Sequence, residues 1–242
     1  MANLHTTRIS GNIAFWDTHR KRLVDAIGPD VVKDLIDFNA GEPHNAGELD
    51  LTWTVTRVEA GAGESTFAVI DGVGGIARIT TDAAENDGIN AQRIGEAYEL
   101  TADQVLYLGF FGVTINDVTQ TDFFLGLAIT DTDILGGVTD RIGFQSLDGS
   151  TDLTFMVEKN STETLSSSLH TLVDATALDI EFYWDGPNNT LEVFVNGVSV
   201  AVPALTNLPN DEALRLTWQF LTGEAVANTM DIDAIRLIMI GR

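Results

Sequence analysis

The stretch Leu178–Val202, LDIEFYWDGPNNTLEVFVNGVSVAV, decides the fold class. Ile180, Phe182 and Trp184 alternate with Asp179, Glu181 and Tyr183. Successive side chains of a strand point to opposite faces, so this run has one apolar face and one wetter face. Asp185-Gly186-Pro187-Asn188-Asn189 then gathers turn formers: Gly and Asn tolerate positive φ, and Pro pre-sets its own. Leu191, Val193 and Val195 resume the alternation against Glu192 and Phe194. Asn196-Gly197 is the two-residue signal of a type I′ hairpin, whose central residues both need positive φ. Val198, Val200 and Val202 continue beyond it, so the segment predicts three short strands joined by two tight turns.

The same grammar extends outward. Leu51–Val58 alternates strictly, and Thr66–Ile70 and Gly75–Thr81 follow between Gly-rich turns. Ala97–Leu100 is a shorter run. Val105–Ile115 is the most apolar part, with blurred alternation, as expected of a strand buried on both sides. Phe123–Ile129, Ile142–Gln145, Leu153–Glu158, Leu214–Leu221 and Met230–Ile240 are further strands, and residues 160–168 read as a Ser/Thr-rich loop. About a dozen strands at short spacing predict an antiparallel β-sandwich or barrel.

The chain has 242 residues, 44% of them apolar, which excludes disorder and allows one large all-β domain. It has no cysteine, so neither a disulfide framework nor a thiolate metal site is available. Net charge is −23, a field that repels nucleic acid and anionic membranes. No apolar run approaches a membrane span, and MANLHTTRIS lacks a signal-peptide pattern, so synthesis in the cytosol is expected.

Residues 1–40 differ from the rest. Arg8, Arg20, Lys21, Arg22 and Lys33 balance Asp17, Asp25, Asp30, Asp34 and Asp37, so the remainder of the chain holds the whole negative excess. Phe15, Trp16, Leu23, Val24, Ile27, Val31, Val32, Leu35 and Ile36 recur near helical spacing, interrupted by Gly28-Pro29. This predicts two short helices, about 16–27 and 29–38, with Asp30 and Asp34 near the positive end of the second. Residues 1–40 are then an N-terminal helical arm, 41–49 a turn-rich linker, and 50–242 the β domain. The arm packs either on its own domain or on a partner. Phe15, Trp16, Arg20, Lys21 and Arg22 are its partner-binding candidates, because a basic cluster steers docking onto an acidic surface.

Three features together resemble the concanavalin A-like jelly roll of legume lectins, laminin G-like modules and many glucanases. They are the strand-turn-strand-hairpin of Asp179–Val198, the closing strand Met230–Ile240, and the aromatic strands around Phe110 and Phe123. The fold this implies is all-β, an antiparallel sandwich carrying the helical arm. The whole chain also resembles tailed-phage head decoration proteins in style. That likeness implies a capsid-surface protein, trimeric by preference, whose partner is the major capsid protein.

The glucanase pattern of the jelly-roll family resembles Glu-x-Asp-x-(x)-Glu on one strand. Glu48-Leu49-Asp50 matches its first two acids, but Thr52 and Trp53 stand where the general acid belongs, and retaining hydrolysis needs both carboxyls. None of His5, His19, His44 and His170 has a patterned Ser partner for triad chemistry. The Gly61–Gly75 glycines precede no helix and so make no phosphate cradle. Asp131/Asp133, Asn116/Asp117/Asp122 and Asp231/Asp233 carry hard oxygen ligands, but in no EF-hand order, and no metal or cofactor is expected. A lectin needs an aromatic platform beside polar groups, for which Tyr183, Trp218 and Trp53 are candidates. The expectation is therefore a non-enzymatic virion protein, with a carbohydrate-binding module as the alternative and a glucanase-like hydrolase third.

Overall fold

The structure, a computed structural model, describes residues 4–17, 22–38, 52–59 and 63–241. The linker 41–49, Glu48, Asp50, Arg20 and Lys21 lie outside the described residues, as do His19 and His44.

The described chain is an antiparallel β-sandwich. Its strands are β1 (Leu4–Ile9), β2 (Asn12–Asp17), β3 (Arg22–Ile27), β4 (Val31–Ile36), β5 (Trp53–Val58), β6 (Thr66–Ile70), β7 (Ile76–Thr80), β8 (Gly88–Arg93), β9 (Val105–Ile115) and β10 (Thr121–Ala128). They continue as β11 (Arg141–Ser146), β12 (Asp152–Lys159), β13 (Thr162–Thr171), β14 (Leu178–Asp185), β15 (Thr190–Val195), β16 (Val198–Ala201), β17 (Arg215–Thr222), β18 (Thr229–Ile232) and β19 (Ala234–Ile240). One sheet has the order β13-β12-β11-β10-β17-β8-β5. The other runs β16-β15-β14-β9-β18-β7-β6, with β19 also on β9 and β4 on β19. Between them lies one continuous core that includes Phe67, Phe110, Phe123, Phe144, Phe155, Phe182, Trp184 and Trp218.

The hairpin signals fold as read. Asn196 and Gly197 have φ of 52° and 74°, and Asn189 closes the earlier turn at φ 52°. β9 is covered on both sides, as its blurred alternation implies. Leu106, Leu108 and Phe110 enter the main core, while Tyr107 enters a second cluster on the opposite face.

Three expectations are corrected. The described residues of 16–27 and 29–38 are not helical: β1, β2 and β3 form a small antiparallel sheet, and β4 joins the second sheet through β19, from Ile235↔Ile36 to Ile240↔Val31. The apolar doublets that mimic helical spacing are strand residues that put an apolar side chain on each face: Leu23 and Ile36 are buried, while Leu35 is exposed. Ser10-Gly11 (φ 46° and 84°) turns β1 into β2, Gly28-Pro29 ends β3, and each of these strands is six residues long. At Gly28 a Cβ would fall 1.8 Å from Asn12 Oδ1, so only glycine lets that turn close. The Ser/Thr-rich 160–168 stretch is mostly strand β13, polar as the outermost strand of its sheet among the described residues, where Asn207 Nδ2 donates to the Glu163 carbonyl and to Thr164 Oγ1. The closing strand is broken into β18 and β19, which pair with successive parts of β9 around Gly112 (φ 64°).

Candidate functional site

β14 positions the site. Leu178, Ile180, Phe182 and Trp184 point into the main core, which turns Asp179, Glu181, Tyr183 and Asp185 to the opposite face. Across that face Tyr183 stands opposite Tyr107 of β9 and Glu192 of β15, and Tyr107 stands opposite Ile238 of β19. The three-stranded N-terminal sheet lies over it. Ala14, Leu23 and Ala26 pack on Tyr107, Ile238 and Ile240, with Trp16, Tyr183 and Phe111 at the margin.

An ionic network pins this cover. Arg22 Nε donates to Glu181 Oε2 at 2.6 Å, and its Nη2 reaches Glu181 Oε1 and, at 3.3 Å, Asp179 Oδ2. The Tyr107 hydroxyl donates to the same Glu181 carboxylate. The guanidinium lies 4.5 Å above the Phe111 ring, and Arg236 approaches that ring at 5.8 Å. Gly109, opposite Glu181, leaves room for these groups: a Cβ there would come 2.7 Å from the Phe111 ring. Burial works to lower the Arg22 pKa, but the hydrogen bond and charge of Glu181 outweigh it and raise it. Burial first, then the Glu181 charge, pushes the Tyr107 hydroxyl well above its ordinary value. Tyr107 and Arg22 are therefore fixed donors, and Glu181 is their shared acceptor.

The margin of the cover presents aromatic rings to solvent. Trp16, Phe111 and Tyr183 keep partial exposure there, Phe15 keeps it on the far side of the N-terminal sheet, and every other Phe, Tyr and Trp is buried. Trp16 and Tyr183 meet edge-on, with centroids 5.1 Å apart. Glu192 and Asp185 flank Tyr183, whose hydroxyl is raised by burial and then by the Asp185 charge.

The outer face of the other sheet is closed by the chain itself. Asn90 Nδ2 donates to the Asp131 carbonyl (2.8 Å), Gln92 Nε2 to the Ile129 carbonyl (3.0 Å), and Gln219 Nε2 to Asp133 Oδ1 (2.7 Å). These bonds lay residues 129–140 across the sheet. Ile134 and Val138 bury Phe124, Ala128 and Met156, and Arg141 ties Glu158 (2.7 Å) to the Ile134 carbonyl (2.8 Å). Among the described residues no three His, Asp or Glu side chains converge as metal ligands. Asp231 instead takes a two-pronged bond from Arg78 at 2.6 and 2.7 Å.

The structure thus brings together residues that sequence reasoning assigned to different roles. Trp16 and Arg22, expected to grip a partner, face their own domain and meet Tyr183 and Glu181. Phe15 lies on the opposite, outer face of the N-terminal sheet. Trp218 and Trp53 are corrected as carbohydrate-contact candidates, being 0% and 1% exposed. Trp218 donates to the Met230 sulfur at 3.0 Å and packs edge-on against Phe67. Asp179, Glu181 and Tyr107 were missed as a group. Their signal was present: polar side chains at alternate positions of an otherwise aromatic strand.

Comparison with known proteins locates the fold. No protein-family model matches the chain, and no curated protein matches it in sequence. Its structure is similar to an endo-1,3-β-glucanase from Streptomyces sioyaensis (TM-score 0.62, 11% identity, 90% of this chain and 100% of that one). It is also similar to a protein of unknown function from Shewanella oneidensis MR-1 (TM-score 0.61, 13% identity, 90% of each chain). A third likeness is to the carbohydrate recognition domain of Emp46p (TM-score 0.51, 11% identity, 77% of this chain and 88% of that one). The chain has the concanavalin A-like jelly-roll fold. At these identities the likeness is one of fold.

The expectation of a non-enzymatic protein is withdrawn. Endo-glucanases, among them a Bacillus licheniformis β-glucanase at TM-score 0.53, share this architecture. The exclusion rested on one linear motif around Glu48. A sheet face assembles carboxylates by geometry, and Asp179 and Glu181 are two acids on one face of one strand. The capsid-decoration expectation gains no support from these relatives.

Proposed function

We propose that the chain binds carbohydrate along the seam between the N-terminal sheet and β14. The observation that carries the reading is that, of the four partly exposed aromatic rings, Trp16, Phe111 and Tyr183 gather at that seam, and only Phe15 lies elsewhere, on the outer face of the N-terminal sheet. A sugar ring offers an apolar C–H face to an aromatic ring and hydroxyls to carboxylates. Trp16 and Tyr183 supply the first, and Glu192 and Asp185 the second. The shared fold with glucanases and a carbohydrate recognition domain supports the same class of ligand.

Calorimetric titration with soluble β-1,3- and mixed-linkage glucans tests it. Saturable binding is expected, weakened about tenfold or more, some 1.4 kcal/mol, by Tyr183→Ala and by Trp16→Ala. Val73→Ala, on a fully exposed turn away from the seam, should leave it unchanged. Absence of binding to every glucan, or full binding by both seam variants, ends the reading. Assaying reducing-end release in the same titrations, with Glu181→Gln in parallel, reports whether bound glycan is also cleaved.

A further inference from the structure

We infer that the N-terminal sheet is the contact surface for a second copy of this chain, which joins it edge to edge through β1. Among the described residues β1 pairs on one side only, with β2, in a register without a bulge from Leu4↔Asp17 to Ile9↔Asn12. Among the described residues its other edge has no backbone partner, and it carries none of the Pro, Lys or bulge features that protect free edges.

The outer face beside that edge is apolar. Ile13 and Ile27 stand opposite one another, 39% and 57% exposed, with Phe15 next to them and Leu4 at the margin. A groove of about 590 Å³ on this sheet is lined by Thr6, Arg8, Ile13 and Phe15.

Charge selects the occupant. Two chains of net charge −23 repel one another over most of their surface. Residues 1–40 carry no net charge, so this is the sheet through which copies can meet. Geometry then restricts the register to pairings that keep the two faces matched, and the proposed one is centred on Thr6. Directly opposed residues of antiparallel strands share a face, so Leu4, Thr6 and Arg8 must oppose outward-facing residues of the partner strand. A two-fold axis through Thr6 does this, setting Thr6 against its own copy and Leu4 against Arg8. The two sheets become one of six strands.

Sedimentation of the full chain across a concentration series should show a dimer. Thr6→Glu, an exposed substitution that sets like charges directly opposite one another across the axis, should raise its dissociation constant several-fold. Because the chain has no cysteine, Thr6→Cys is a clean register probe. Opposed Cα atoms about 4.5–5.5 Å apart fall within disulfide range, so mild oxidation should give a covalent dimer. Val73→Cys, exposed elsewhere, should not. A monomer at every concentration, a trimer, or Thr6→Cys coupling no better than Val73→Cys overturns the inference.

Discussion

Arg22→Ala is expected to lower stability by about 3–5 kcal/mol, because it leaves Glu181 buried without its counter-charge. The surface discount on ion pairs does not apply, since the two side chains are 11% and 2% exposed. The loss should fall on the N-terminal sheet first. Limited proteolysis should cut residues 4–27 earlier than in the parent, and Trp16 fluorescence should shift before the main transition in denaturant. Arg22→Met combined with Glu181→Gln separates charge from packing. The amide oxygen still accepts from Tyr107 and no buried charge remains, so the pair should recover part of the loss. A single-variant cost under about 1 kcal/mol would remove the latch from the account, placing it with ordinary surface pairs.

Trp218→Ala should cost about 3–5 kcal/mol through the cavity it opens between the sheets. For a chain of this size that is a fall of roughly 6–20 °C in melting temperature by calorimetry. Trp218→Phe keeps most of the volume and should cost less. Below its transition, Trp218→Ala should bind glycan as the parent does, whereas Tyr183→Ala should lose binding with a smaller change in melting temperature. The two aromatics read alike as candidate platforms in the sequence. Weakened binding by folded Trp218→Ala, with Tyr183→Ala unaffected, would reverse their assignments.

These expectations mark where sequence reasoning reaches and where it stops. Alternation in β14 and β15 is a local property, and the faces it assigned to Phe182, Trp184 and Val193 hold. Asn196-Gly197 names its turn because only a few residues accept positive φ. The six-residue units from Leu4 to Ile36 carry a weaker local signal, since apolar doublets fit a helix as well as a strand with an apolar residue on each face. What resolves them is pairing with β19, about 200 residues further on. The same holds for Arg22 and Glu181, 159 positions apart.

The sequence by itself determined an acidic, cysteine-free, all-β chain, its hairpins, and the two-sided burial of β9. Composition sets charge, and strand periodicity with turn chemistry acts over a few residues. Only the tertiary structure decided that the first 40 residues include strands rather than helices, that Trp218 is core while Tyr183 reaches the surface, and that Arg22 closes over Glu181. Alternation says that a side chain has a face; it does not say what will cover that face. That choice belongs to contacts between segments far apart in the chain, whose closure no local pattern encodes.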